Sequence, residues 1–368
     1  MNTLHNKNLI IIAPTAPPAI CGVSDYAYQM AKELRKTYDS ITIGVEHEPA
    51  EAPTTDGIGV KPWRQLLGAA AGPATDVFLN YTPTSYARTG WPLGMLQALR
   101  RFRKAHPQNR LFVFFHETWN GSHDLRPVQL VQQQVIRLAM RRIGRLADGV
   151  AVVNAEQQQK LMRLLPRDNV RLNAVGSNIL PSTREAGLLS ERQPGNWLVF
   201  GLPHTRLWAI EAHLAVLKTA HAQGRLRRIY AVGPTDSVFA RQEKELVRAN
   251  LGEDVLVQLG ALGPAEVSER MLNAEAALVG LNANGLKKSG TFAALAAHAV
   301  PIICEVDTQL DQPPGLAFLQ PAEVLANPNL LTEPESERRR RLLHQWFWDN
   351  RSWEAIGQSL QAWLQEAA

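Results

Sequence analysis

The feature that most constrains this chain is an alternation, repeated twice, of short apolar or β-branched runs with longer helical patterns. Such alternation builds parallel sheets covered by helices rather than sandwiches or bundles. The first series has strands expected at 9–13, 41–45, 76–80, 111–115 and 149–153, several apolar on both faces, as parallel strands between two helical layers must be. Helices are expected near 23–36, 92–105, 127–147 and 155–164. The third carries Val128, Val131, Val135, Leu138, Ala139 and Ile143 at helical spacing. Residues 180–195, LPSTREAGLLSERQPG, combine turn formers with charges and read as a linker.

A second series follows, with strands expected at 197–200, 228–232, 255–259, 276–281 and 301–304 and helices near 207–222, 238–250, 264–272 and 290–299. The fold class is α/β: two successive doubly wound, Rossmann-like domains at 1–180 and 181–345, then a closing segment at 346–368. In that tail Trp353, Ile356, Leu360, Trp363 and Leu364 share one helical face, and four tryptophans need burial. A helix packing back on the first domain would supply it, and so would a helix pair on the second.

The length of 368 residues suits two domains, and 45% hydrophobic with 20% charged residues excludes a disordered or fibrous chain. Cys21 and Cys304 are too few for a disulfide framework or a structural zinc site, so a reducing, cytoplasmic setting is expected. The opening apolar run is too short for a signal-peptide core, and no stretch approaches the ~18 apolar residues of a membrane span. The formal charge of +5 divides unevenly: residues 1–180 carry +8 and the rest −3. An anionic partner for one face of the first domain is therefore expected, a membrane surface before a nucleic acid, because no recognised nucleic-acid module or interleaved exposed aromatics accompany the basic runs.

Ligands of open α/β sheets sit beyond the carboxyl ends of the strands, so those loops hold the candidate residues. After the first strand, APTAPPAICGVSDYAYQMAKEL turns at Gly22 into a helix starting near Val23 or Ser24, whose N–H groups face an anion or are simply capped. The fourth strand ends at His116 and Glu117, two titratable groups at a strand tip. A metal set from His116, His123 and Asp124 matches no zinc spacing, so no metal is assigned. In LNANGLKKSGTFAALAAHAV, Lys287 and Lys288 precede Ser289, Gly290 and Thr291 at a helix start, a cradle for phosphate. RRFRK and RRIGR place Arg100, Arg101, Arg103, Lys104, Arg141 and Arg142 on two helices as a surface for anionic headgroups or for an acceptor near them.

Together these segments resemble the GT-B glycosyltransferases, most of all the retaining GT4 family. GVSDYAYQMAKEL is similar to that family's glycine-led loop and helix, HETW to its histidine-bearing strand end, and VVNAEQQQKLM with AVGSNI to its run into the linker. WLVFGLPHTRLWAIEAHLAVLKTA and IYAVGP resemble the start of its donor domain, NANGLKKSGTFAALAAHAVPII its donor-site block, and WEAIGQSLQAWL its closing helix. The resemblance implies two domains facing a central cleft. It implies transfer of a sugar from a UDP- or GDP-sugar, with no other cofactor, to a glycan or lipid-linked acceptor in cell-envelope polysaccharide assembly. Gly22 and Val23 would lie near the donor phosphates, and His116 near the transferred sugar. Arg206, Lys287, Lys288, Ser289, Gly290 and Thr291 would meet the diphosphate, with Glu117 or Asp25 as base if the reaction inverts. The family's paired glutamates are absent, their places falling at Leu286 or Lys287 and at Ala294 or its neighbour. That departure keeps two other readings in view, a nucleotide-sugar epimerase of the same architecture and a catalytically silent partner subunit.

Overall fold

The computed structural model describes residues 7–16, 19, 21–47, 57–68, 74–119, 126–327 and 329–366. The chain forms two compact units, one of residues 1–174 with 353–368 and one of residues 175–352.

Unit 1 is built on seven parallel strands, β1 (Asn8–Ile12), β2 (Ser40–Val45), β3 (Gly59–Pro62), β4 (Thr75–Tyr81), β5 (Arg110–Phe115), β6 (Gly149–Val152) and β7 (Val170–Leu172). Their order is β3-β2-β1-β4-β5-β6-β7. Its helices are α1 (Gly22–Leu34), α2 (Trp63–Leu66), α3 (Leu93–Ala105), α4 (Pro127–Leu146) and α5 (Ala155–Leu164). β4 and β5 are buried along their whole length, which is why they read as continuous apolar runs. The edge strands β3 and β7 escaped the sequence reading because both are short and partly polar.

In unit 2, α6 (Ala186–Leu189) leads into β8 (Gln193–Phe200), α7 (Pro203–Ala212), α8 (Leu214–Ala222), β9 (Arg228–Val232), α9 (Ser237–Leu251), β10 (Leu256–Gly260), α10 (Pro264–Asn273) and β11 (Ala274–Leu278). Then come α11 (Ala283–Lys288), α12 (Gly290–Ala297), β12 (Ile302–Ile303), α13 (Pro321–Ala326) and α14 (Pro334–Asn350), with α15 (Trp353–Glu366) returning to unit 1. The five parallel strands run β10-β9-β8-β11-β12. The single helix expected at 207–222 is two, broken at His213, whose buried Nε2 donates to the Val279 carbonyl at 2.9 Å.

The segment read as a linker is not free chain: it forms α6, and Arg192 fastens it to the rest of unit 2 through four backbone carbonyls and to its own Gly187 carbonyl through a fifth bond. The tail satisfies its tryptophans in both ways at once. Trp346 packs on Phe292 in unit 2, whereas α15 packs on α1 with Trp363 edge-on to Phe78 and Phe112 and Trp353 against Tyr26. The β4–β5 register opposes Asp76 and Arg110. Their buried ion pair also takes the Tyr38 hydroxyl on Asp76, while Arg110 Nη1 donates to the Leu364 carbonyl at 2.7 Å, pinning the end of α15. Burial and the adjacent Asp76 charge push the Tyr38 hydroxyl well above its ordinary pKa, so it stays a donor.

On α4 the buried residues are Ile136, Ala139, Met140, Ile143 and Gly144, and Val128, Val131 and Leu138 are exposed. The stripe read from the sequence thus contains two faces, of which only Ala139 and Ile143 belong to the core.

Candidate functional site

In unit 2, successive strands lead outward from β8 in both directions, so the crevice between β8 and β11 is the topological switch point. Three neighbouring strands end in glycines at positive φ, Gly201 (+139°), Gly233 (+134°) and Gly260 (+70°), a conformation that side chains resist. The backbones meet closely there: a Cβ on Gly233 would stand 2.1 Å from the Gly201 carbonyl. A Cβ on Gly201 would reach Thr205 Oγ1 at 2.9 Å and Thr291 Oγ1 at 3.3 Å. The start of α12 therefore lies against the end of β8, and Thr291 faces Gly201.

At this start Ser289 is the N-cap, its Oγ accepting from Phe292 N at 3.1 Å. Gly290 is exposed, and the first N–H groups of a helix have no partner within it. Lys288 is exposed and Lys287 half-buried; among the described residues neither has a carboxylate partner. The Lys287 carbonyl takes Arg351 Nη1 at 2.8 Å, which also donates to Val175 and so fixes the end of α11. Of the run Lys287 to Thr291, the structure brings Thr291 against Gly201 and Thr205 at the end of β8. The signal for the last two was in the sequence, where each of three strands closes on a glycine.

Arg206 has a different position from the one its resemblance implied. It is buried, its Nε donating to Glu243 Oε1 at 3.0 Å and its Nη1 to the carbonyls of Gly201 (2.8 Å) and Pro234 (3.1 Å). Glu243 Oε2 accepts from Gln258 at 2.9 Å. The buried guanidinium thus ties the two glycine turns at the ends of β8 and β9 together. Leu286 and Ala294 are wholly buried and present nothing to a ligand.

In unit 1 the switch point lies between β1 and β4. Gly22 opens α1, and a Cβ there would meet nothing within 4 Å. The N-cap is Cys21, with no side-chain cap bond, and Ser24, inside the first turn and buried, accepts from Thr15 N at 3.1 Å. Val23 and Asp25 are half-buried in the first turn, and Asp25 already has an interaction partner. His123 and Asp124 lie outside the described residues. Among the described ones, no three His, Cys, Asp or Glu side chains cluster as a metal set.

His116 follows β5 and is buried against the rings of Phe114 and Tyr26. Asn80 Nδ2 donates to the Ile12 carbonyl at 3.3 Å, which turns its Oδ1 toward His116 Nε2 at 2.9 Å. The proton therefore sits on Nε2, and Nδ1 carries a lone pair. Burial lowers the imidazole to about 3, so it is neutral at neutral pH. Glu117, next in sequence, is exposed.

Burial lowers His298 too, to about 4. Both values lie below the ~6.5 of an exposed imidazole, so the unfolded chain binds protons that the folded one refuses. This stability is complete above ~6.5 and is lost as pH falls toward 4 and then 3. Between pH 7 and pH 5 each histidine should cost on the order of 2 kcal/mol. Urea unfolding at the two pH values checks this, with His116→Gln expected to remove its own share. An unchanged midpoint would contradict the neutral, buried state.

On the basic surface, Arg100, Arg101, Lys104, Arg141 and Arg142 are exposed. Arg103 is diverted inward to Asp148 at 2.8 Å and to the Asn109 carbonyl. No helix among the described residues is long and apolar enough to cross a membrane.

No protein-family model and no curated protein matches the chain. Solved structures do match over nearly its whole length. Sucrose-phosphate synthase from Thermosynechococcus elongatus superposes with TM-score 0.64 at 14% identity, covering 98% of this chain and 99% of the other. A glycosyltransferase from Rickettsia africae gives 0.64 at 10%, covering 100% and 99%. WaaG, a glycosyltransferase involved in lipopolysaccharide biosynthesis, gives 0.57 at 12%, covering 96% and 98%. With two parallel sheets of seven and five strands and alternating helices, the chain has the GT-B fold.

Proposed function

We propose that the chain is a glycosyltransferase: unit 2 holds the diphosphate of a UDP- or GDP-sugar, and unit 1 holds the acceptor, a lipid-linked or cell-envelope glycan. The observation that carries this reading is the meeting of Thr291, at the α12 start, with Gly201 at the switch point of unit 2, Lys287 and Lys288 directly preceding that start in the chain. A nucleoside diphosphate leaves with concentrated negative charge. Preorganised N–H groups, a threonine hydroxyl and two ammonium groups would stabilise that charge as it develops, without calling on a metal. Glycines at the facing strand ends let the phosphates approach the backbone.

His116, neutral with its lone pair on Nδ1, would accept a hydrogen bond from a hydroxyl of the sugar or acceptor and so orient it. Protonation near neutral pH is too costly for it to act as the base. Retention of configuration is the outcome the resemblance favours; an inverting reaction would call on Glu117 or Asp25.

Thr291→Ala and Lys288→Ala should each weaken nucleoside diphosphate binding by ~10-fold. Thermal shifts with UDP, GDP, ADP and dTDP identify the base, since a ligand of the native state raises its transition. Unchanged affinity and turnover in both variants would remove the assignment. A UDP-sugar isomerised without acceptor would identify an epimerase instead, and donor bound without transfer or hydrolysis a silent partner subunit.

A further inference from the structure

Helix α4 carries an outward apolar stripe separate from its core face. Val128 is 79%, Val131 65% and Leu138 43% exposed, with Val135 half-buried between them. At ~100° per residue these four fall within an arc of about 80°, away from Ile136, Ala139, Met140 and Ile143. On the same wheel Arg145 stands about 20° and Arg141 about 60° beyond Leu138, and Arg142 falls within the arc toward the helix end, all three exposed. Beside α4, α3 exposes Arg100, Arg101 and Lys104. The sequence holds no acidic residue between Asp76 and Glu117 or between Asp124 and Asp148, so both helices are free of carboxylates.

We infer that α4 lies in the interface of an anionic lipid bilayer, with Val128, Val131 and Leu138 inserted among the acyl chains and the α3 and α4 cations on the headgroups. Apolar side chains on one arc beside arginines is the arrangement an interfacial helix needs: burial of the first gives affinity, and attraction of the second gives selectivity for anionic lipid. A second copy of this chain fits the face poorly, because a symmetric contact would bring two carboxylate-free cation clusters together. A nucleic-acid backbone would leave the valines without a partner. The inference adds to the proposed function by naming the surface on which a lipid-linked acceptor is met, and insertion, beyond adsorption, as the mode.

The test is sedimentation of the full chain with vesicles of equal phosphatidylglycerol and phosphatidylcholine, against phosphatidylcholine alone, at low and high salt. The parent should bind the anionic vesicles, ~10-fold or more weaker without anionic lipid or at high salt. The triple variant Val128→Ser/Val131→Ser/Leu138→Ser keeps every charge and should lose ~10-fold or more in affinity. Circular dichroism and thermal midpoint should stay unchanged, because the altered side chains are on the surface. Binding equal to the parent would reduce the contact to adsorption and overturn insertion. No binding at low salt would overturn the site, and a self-associating parent made monomeric by the triple variant would mark the stripe as an interface between copies. No donor or turnover enters the measurement, so its failure leaves the sugar-transfer reading standing.

Discussion

Arg192→Met is expected to cost about 4 kcal/mol of folding stability, lowering the thermal midpoint of unit 2 by roughly 10 °C. Among the described residues the side chain makes no ion pair with a carboxylate. Its Nη1 donates to the carbonyls of Met271 (2.6 Å) and Ala274 (3.2 Å), and its Nη2 to those of Gly187 (2.9 Å), His298 (2.8 Å) and Ala299 (2.9 Å). Four of these carbonyls, all but that of Gly187, lie where α10 and α12 end, the negative ends of both helices, which offsets part of the cost of burying the cation. Burial pulls the guanidinium down to about 9, so it remains protonated at neutral pH. Methionine fills much of the same volume but takes the guanidinium donors from the carbonyls of Met271, Ala274, His298 and Ala299, whereas Gly187 keeps Arg340 Nη1 at 3.0 Å; each carbonyl left unpaired carries a desolvation penalty of about 1–3 kcal/mol unless water reaches it. Thermal or urea unfolding followed by tryptophan emission measures the loss. A change below about 1 kcal/mol would mean that other donors take over these carbonyls.

The largest functional effect is expected at Gly201. Gly201→Val should reduce nucleoside diphosphate affinity by more than ~100-fold, about 2.7 kcal/mol or more. The residue stands at φ +139°, where a β-branched side chain is strained. Its Cβ would lie 2.9 Å from Thr205 Oγ1 and 3.3 Å from Thr291 Oγ1, so the valine methyl groups would occupy the space before the α12 start. Gly201→Ala should fall between parent and valine. Titration calorimetry with the nucleoside diphosphate, alongside circular dichroism to confirm the fold, gives the comparison. A folded Gly201→Val chain with parental affinity would place the diphosphate elsewhere.

Both positions show where local sequence runs out. The strands were legible, five of five in the second series within a few residues, because parallel strands covered on both sides must be continuous apolar runs. The helix start at Ser289 to Thr291 was legible too, since a capped helix start after a strand is a local pattern. The burial of Arg206 was not legible because its partner Glu243 lies 37 residues away on another helix. The face of α4 was misjudged because that helix is apolar on two sides, and periodicity alone cannot rank them.

By itself, then, the sequence determined two doubly wound α/β units, the carboxyl-end loops where ligands belong, and a first half rich in cations. These follow from patterns whose period is set by the backbone. The tertiary structure alone decided which arginines are spent on carbonyls and carboxylates, which valines remain outside, and that the tail divides between the units, α14 staying with one and α15 joining the other. Each of those outcomes depends on which distant group arrives opposite a side chain, and the parallel-sheet register, not local propensity, brings it there.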